Sequence, residues 1–328
     1  MDTMRWIKAV IPWLMLGCTP QQVTHSPSLD INRLNQAKHH SVLPIPEPEP
    51  ANLSLARLGW QLFQDPRLSS NNAISCATCH ELHHYGAQSS MVSTGVNGLG
   101  ERNSPTVFNS SLNPMQFWDG RAFNLHTQID GPVHNPVEMD SNWPDIVIKL
   151  QQDSELKSQF QRLYSDGITE ANIKHAIDYF ESQLLTPNSR FDQFLKGEIR
   201  LSSDELQGWQ QFQDIGCINC HQGVNFGGNL YQSFGLTHRI DAKNNDSGLY
   251  SVSKDPRDNH VFRVPSLRNI AETAPYFHDG SIAGLSDAVE LMAISQLGVT
   301  LTSNQRHNLT QFLHTLTAPK PKILEELQ

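Results

Sequence analysis

The sequence is short of the features that mark several common classes of protein. Basic residues are outnumbered, 24 Lys and Arg against 33 Asp and Glu, for a formal charge of −9. Nucleic-acid backbones are held by clustered cations, so no nucleic-acid partner is expected. An acidic surface still suits the steering of a basic partner protein. No apolar run is long enough to span a bilayer, and no sustained apolar–polar alternation calls for a sheet. Cysteine is scarce, five in 328 residues, an odd number that cannot pair completely.

The first of the five has its own context. Residues 1–18 read as an export signal, with Arg5 and Lys8 before a short apolar stretch from Ala9 to Leu16. The stretch ends in Leu14-Met15-Leu16-Gly17-Cys18, which resembles the lipobox of bacterial lipoproteins although Met15 stands where Leu is usual. That resemblance implies cleavage before Cys18 and lipidation of its thiol, a membrane anchor. Thr19, in place of Asp, fits sorting to the outer membrane. A plain secretory signal with an incidental Cys is the alternative. Residues 19–50 read as a tether, polar and ending in Pro44-Ile45-Pro46-Glu47-Pro48-Glu49-Pro50, an extended spacer.

The other four cysteines lie in Cys76-Ala77-Thr78-Cys79-His80 and Cys217-Ile218-Asn219-Cys220-His221. Each motif follows a version of one heptapeptide, Gly59-Trp60-Gln61-Leu62-Phe63-Gln64-Asp65 and Gly208-Trp209-Gln210-Gln211-Phe212-Gln213-Asp214, alike at six of seven positions. Leu58, Leu62 and Phe63, and Leu206, Trp209 and Phe212, fall at helical spacing. Ser202 and Glu205 make a capping box for the second helix. One unit has therefore been used twice, giving an N-terminal domain over 51–195 and a C-terminal one over 196–320. Further helices are expected over Pro144–Tyr164 and Glu170–Leu185, and long Gly-, Asn- and Ser-rich loops over 86–114 and 223–260. The fold class expected is mainly α: two c-type cytochrome-like domains in tandem with long loops.

The spacing of each motif lets two thiols bridge the vinyl groups of one haem while the adjacent His binds iron. A redox disulfide has no need of the His, and half a zinc site would want further ligands close by. Two covalent haem c groups follow, with His80 and His221 as proximal ligands. After His221 the chain has one methionine, Met292, on a helix expected from Asp287 to Ser295 with Ser286 as its cap. By itself this Met is a core residue or an axial ligand.

Several segments resemble the bacterial di-haem cytochrome c peroxidases and their MauG relatives. They are Arg102-Asn103-Ser104-Pro105-Thr106-Val107, Phe117-Trp118-Asp119-Gly120-Arg121-Ala122, and Gly131-Pro132-Val133-His134-Asn135-Pro136-Val137-Glu138-Met139. Val264-Pro265-Ser266-Leu267-Arg268-Asn269 and Thr273-Ala274-Pro275-Tyr276-Phe277-His278-Asp279-Gly280 continue the likeness, which runs over roughly 52–318. The resemblance implies an electron relay at Trp118, distal-side roles for Gln128 and Glu138 at the first haem, and Met292 as axial ligand of the second. It also implies one calcium ion, held by Asn103 and the carbonyls of Thr273 and Pro275, oxygen donors of the kind calcium takes.

The same resemblance implies a histidine in the loop after the first motif, and Gly95 stands near that place; no His occurs between Tyr85 and His126. An open first haem, without prior reduction, is the expectation. The activity implied is reduction of hydrogen peroxide in a bacterial periplasm, with electrons from cytochrome c or a cupredoxin. A homodimer is compatible with it. Two other readings stay open: a MauG-like enzyme that oxidises side chains of a partner protein, and a non-catalytic electron-transfer module.

Overall fold

The computed structural model describes residues 41–240 and 245–328; the expected signal, Cys18 and the spacer up to residue 40 lie outside the described residues. Helix α1, Leu53–Phe63, starts where the Asn52 side chain accepts the Leu55 N–H, and it buries Leu55, Leu58, Leu62 and Phe63 on one face. The expected helix over Pro144–Tyr164 is two helices, α2 (Trp143–Leu150) and α3 (Ser154–Leu163). The break has a local cause: the Asp153 carboxylate accepts the Glu155 and Leu156 N–H groups, both at 3.0 Å, and so caps a new helix. Helix α4, Glu170–Ser182, ends three residues short of the expected Leu185. These helices close the first core around Phe63, Phe108, Phe160 and Phe180.

A second core is built by α5 (Arg190–Leu195), α6 (Ser203–Asp214), α7 (Leu285–Leu297) and α8 (Ser303–His314). The Ser202–Glu205 capping box of α6 is present. Leu206, expected on its apolar face, is 37% exposed, whereas Trp209 and Phe212 are buried. Phe191 packs edge-on against Trp209 and Phe312, with centroids 4.9 and 5.1 Å away. Helix α5 therefore belongs to the second core, and the change of core falls before residue 190 rather than at 195. The end of the Pro-rich stretch is extended but not detached, since Val42 and Ile45 are each 1% exposed. The Arg268–Asp192 pair, 2.7 Å apart and buried, sits beneath it: Arg268 Nη2 donates to the Leu43 carbonyl and Asp192 accepts the Ile45 N–H. The chain's last helix, α9 (Ile323–Leu327), returns to the first core and packs on α1.

The repeated heptapeptide explains itself in the packing. A Cβ on Gly59 would collide with the Ala176 carbonyl and lie 2.7 Å from Phe180 Cβ; on Gly208 it would collide with the Asn308 carbonyl and lie 2.8 Å from Phe312 Cβ. So α1 crosses α4, and α6 crosses α8, at backbone contact through the same repeat position.

The repetition continues through loops whose sequences differ. Asn109 and Asn269 have φ of 61° and 59°, Phe117 and Phe277 of 68° and 72°, Gly120 and Gly280 of 67° and 62°. Short 3₁₀ turns follow each Asn, at Ser110–Leu112 and Ile270–Glu272, and isolated bridges join Gln116 to Ala122 and Tyr276 to Ile282. A left-handed Phe is a rare, strained conformation; two at matching positions mark one loop design used twice. The loops otherwise hold two ribbons, β1 (Thr94–Gly95) with β2 (Gly98–Leu99) and β3 (Tyr231–Ser233) with β4 (Val261–Arg263).

Gly59→Ala and Gly208→Ala should each destabilise the protein by about 1–3 kcal/mol, because the overpacked crossing outweighs the higher helix propensity of Ala. Denaturant or thermal unfolding measures this, and a neutral or stabilising result at both positions would disprove the close crossing.

Candidate haem-binding site

Both C-x-x-C-H motifs fold into single tight turns. In the first, Cys76–Cys79 is one helical turn, closed by the Ser75 N–H on Thr78 Oγ1 at 3.0 Å. One turn brings residues three apart to the same side. In the second, Gly216 at φ 107° admits a 3₁₀ turn over Cys217–Asn219. The His80 and His221 N–H groups donate to the carbonyls of Cys76 and Cys217. Nδ1 of His80 donates to the Pro105 carbonyl at 2.9 Å, and Nδ1 of His221 to the Phe226 carbonyl at 3.2 Å. That tautomer leaves each Nε2 lone pair free for a metal. Burial holds both rings neutral, lowering the pKa of His80 and pushing that of His221 down to about 4. None of the four cysteines of the two motifs is taken up in a disulfide. Among the described residues no group of three or more His, Cys, Asp or Glu gathers to hold a metal ion.

His221, Cys217, Cys220 and Met292 line one cavity with Phe212, Leu285 and Leu313. Helix α7 brings Met292 there. It begins at Leu285, earlier than expected, and its N-cap is Gly284 with no side-chain cap; Ser286 lies inside the first turn. Asn103, Trp118, Thr273 and Pro275 line the same cavity, so most of the sequence-derived site residues converge on it.

Gln128 and Glu138 do not line that cavity. Gln128 closes the short turn Leu125–Gln128, capped by Asn124. Glu138 accepts the Asn135 side-chain N–H at 2.8 Å. Burial raises its pKa, with the Arg121 cation and Asn135 pulling the other way. Its charge reaches the first motif: the Cys79 thiol is pushed up by burial first, and further by Glu138. The loop after the motif is laid against the backbone that carries this residue. The Val96 and Asn97 N–H groups donate to the carbonyls of Glu138 and Val137, and Asn97 Nδ2 to Pro136. A Cβ on Gly95 would collide with the Val137 carbonyl and lie 2.6 Å from Glu138 Cα. His84 donates its Nε2 proton to the Ala274 carbonyl at 3.1 Å, and His83, mostly exposed, pairs with Glu81.

Between the two loop copies the backbone bonds cross. The Asn103 N–H donates to the His278 carbonyl at 2.7 Å, and the Arg263 N–H to the Trp118 carbonyl at 2.8 Å. Trp118 also donates its indole N–H to the Asn103 carbonyl at 2.9 Å, and its ring meets His278 edge-on, with centroids 6.3 Å apart. Asp119 binds both Arg102 and Arg121, and Arg102 reaches on to Asp246. Two donors here have no partner: Arg263 Nη1 and His278 Nε2 are buried and unbonded. An apolar cavity lined by two cysteines, an available imidazole and an unpartnered guanidinium nitrogen fits a haem and its carboxylates.

Known proteins agree. Residues 54–200 match the family model described as di-haem cytochrome c peroxidase. The chain is 40% identical to the cytochrome c551 peroxidase of Pseudomonas aeruginosa over 85% of each chain. The chain belongs to the di-haem cytochrome c peroxidase family. It is 41% identical to the cytochrome c peroxidase of Escherichia coli over 89% of this chain, but spans only 64% of that longer protein. The methylamine utilization protein MauG of Paracoccus denitrificans is 34% identical over 73% of this chain and 74% of its own. Among solved structures, a MauG-like protein associated with microbial copper homeostasis superposes with a TM-score of 0.75 at 29% identity, over 84% of this chain and 93% of its own.

Sequence reasoning missed Arg263 and gave His278 no role. The signal was faint: an arginine inside the apolar strand Val261–Arg263, where a charge is buried on both sides.

Pyridine-haemochrome assay of the exported protein should give two covalent haems per chain, and the Cys217→Ser/Cys220→Ser pair should give one. Two haems in that double variant would contradict the assignment of the second motif.

Proposed function

We propose that this chain is a periplasmic di-haem peroxidase that reduces hydrogen peroxide to water with electrons from a small donor protein, a cytochrome c or a cupredoxin. The observation that carries the reading is the carboxylate of Glu138, largely withdrawn from water, fixed by Asn135, and close enough for its charge to raise the pKa of the Cys79 thiol in the first C-x-x-C-H turn. In this reading each core carries one haem, in tandem domains. Bound haem supplies the redox-active iron on which peroxide is reduced. His80 and His221 are the proximal ligands, attached beside Cys76 and Cys79, and beside Cys217 and Cys220. Met292 closes the second site for electron storage, and Trp118, packed between the loop copies, lies on the path between the sites.

Reduction consumes two electrons and two protons and releases two waters. Glu138, ionised, takes the proton from the near peroxide oxygen and gives it to the far one, so that the O–O bond breaks with water as leaving group. Gln128 orients the peroxide by hydrogen bonding. Gly95, where the resemblance implies a histidine, leaves the distal side open without prior reduction. The same openness favours the MauG-like alternative, oxidation of a partner protein's side chains, while Met292, which would ligate the second haem, weighs against it.

Asn103 suits calcium. Its Nδ2 is committed to the carbonyls of Ser90 and Met91, which leaves its carboxamide oxygen for a hard cation beside Thr273 and Pro275. A lipid on Cys18 would anchor the chain to the outer membrane; among the described residues no helix is long and apolar enough to cross one.

Steady-state reduction of hydrogen peroxide by reduced cytochrome c tests the reading. Glu138→Gln should keep both haems and lose turnover by roughly 100-fold or more. A general base works only when ionised, so wild-type activity should fall as pH drops through a pKa raised above the ordinary carboxylate value. That limb should vanish in the variant. Unchanged turnover in Glu138→Gln refutes the role.

A further inference from the structure

Arg263 is the more unusual of the two orphaned donors. Its Nε donates to the Phe117 carbonyl at 3.0 Å and its backbone N–H to the Trp118 carbonyl, so the side chain is clamped to the loop that carries Trp118. It is 4% exposed, and its Nη1 has no partner. No carboxylate among the described residues offsets the charge. Burial lowers its pKa to about 10, against only a weak upward pull from Tyr231. A buried guanidinium left in this state is costly, by several kcal/mol as an order of magnitude. The other buried arginine of this half, Arg268, shows the usual solution: it is paired with Asp192. Arg263 instead lines the cavity that holds Cys217, His221 and Met292.

The loop repetition sharpens the point. Arg263 stands two residues before Pro265, as Asn103 stands two before Pro105, and the two make the crossed backbone bonds. The matching positions carry a neutral amide in one half and a fixed cation in the other.

We propose that Arg263 is a positioning residue that holds a carboxylate of the second haem through Nη1 and raises that haem's potential by its charge. This rests on the assignment of Cys217–His221 as a haem site. The cation has three effects from one place: it neutralises the carboxylate, it disfavours loss of an electron from the nearby iron, and its clamp on Phe117 and Trp118 fixes the relay relative to the group it serves. The first haem has no such cation at the matching position, so the effect is confined to the second.

The test is an anaerobic spectroelectrochemical titration of the full holoprotein, with no peroxide present. In Arg263→Gln the second haem should be harder to reduce, its ferric-to-ferrous ratio at fixed potential rising about tenfold, roughly 59 mV for one electron, with the first haem unmoved. Arg263→Met, neutral and of similar length, gives the same readout if the Gln variant does not accumulate. Arg263→Lys should recover most of the shift, which a merely structural role would not allow. An unchanged second midpoint in variants with two haems overturns the proposal, as does an equal shift of both haems. A wild-type midpoint that tracks chloride concentration would assign Nη1 to a free anion and also overturn it. A wild type without two haems removes its foundation, whereas absence of peroxide turnover overturns only the peroxidase reading, because the titration uses no peroxide.

Discussion

Two crossed backbone hydrogen bonds, Asn103 to His278 and Arg263 to Trp118, constrain everything around the candidate site. Each runs from the start of one loop copy to the middle of the other, so neither loop can move without its counterpart. Left-handed Phe117 and Phe277 turn the chain just before the two carbonyls, and the strain of those conformations is held by the reciprocal exchange. The consequence is a fixed meeting point, with the Trp118 and His278 rings edge to face and Arg263 laid across the Phe117 carbonyl. Fixed geometry at such a point suits electron transfer, since nothing has to rearrange when an electron passes.

Helix crossings bring these loops into register. Gly59 and Gly208 let α1 and α6 reach the backbones of α4 and α8, and in each half a C-x-x-C-H turn follows that helix, directly after α6 and beyond a short loop after α1. The halves are not sealed from each other: α9 leaves the second half to pack on α1, and Val42, just before the Pro-rich run that leads into the first half, is buried in the second core. One cooperative body, rather than two beads on a string, follows from those exchanges.

Much of this was legible in residues. The heptapeptide announced two like helices because apolar spacing is a property of local sequence, and the two motifs announced two haems because their chemistry is carried by five adjacent residues. The second half of the repetition was not legible. Only scattered residues coincide between the loops, Asn109 with Asn269 and Phe117 with Phe277 among them, while neighbours such as Trp118 and His278 differ, and the left-handed backbone that the shared residues adopt is not visible in the letters. The split of Pro144–Tyr164 was hidden because Asp153 interrupts a continuous apolar periodicity with a cap. Arg263 was invisible because a single arginine carries no signal of burial; only the cavity beside it and its unbonded Nη1 do.

The halves differ where function needs them to. Met292 lies in the cavity of His221, whereas near His80 the loop offers Gly95, whose missing side chain is required by its contact with the Val137 carbonyl and Glu138 Cα. No residue larger than glycine fits there without displacing that backbone, so Gly95 and the path of the chain through Val137 and Glu138 are fixed together. Low-temperature electron paramagnetic resonance of the as-isolated, fully ferric protein tests this asymmetry most directly. The account predicts one high-spin and one low-spin haem before any reduction; two low-spin haems would contradict it.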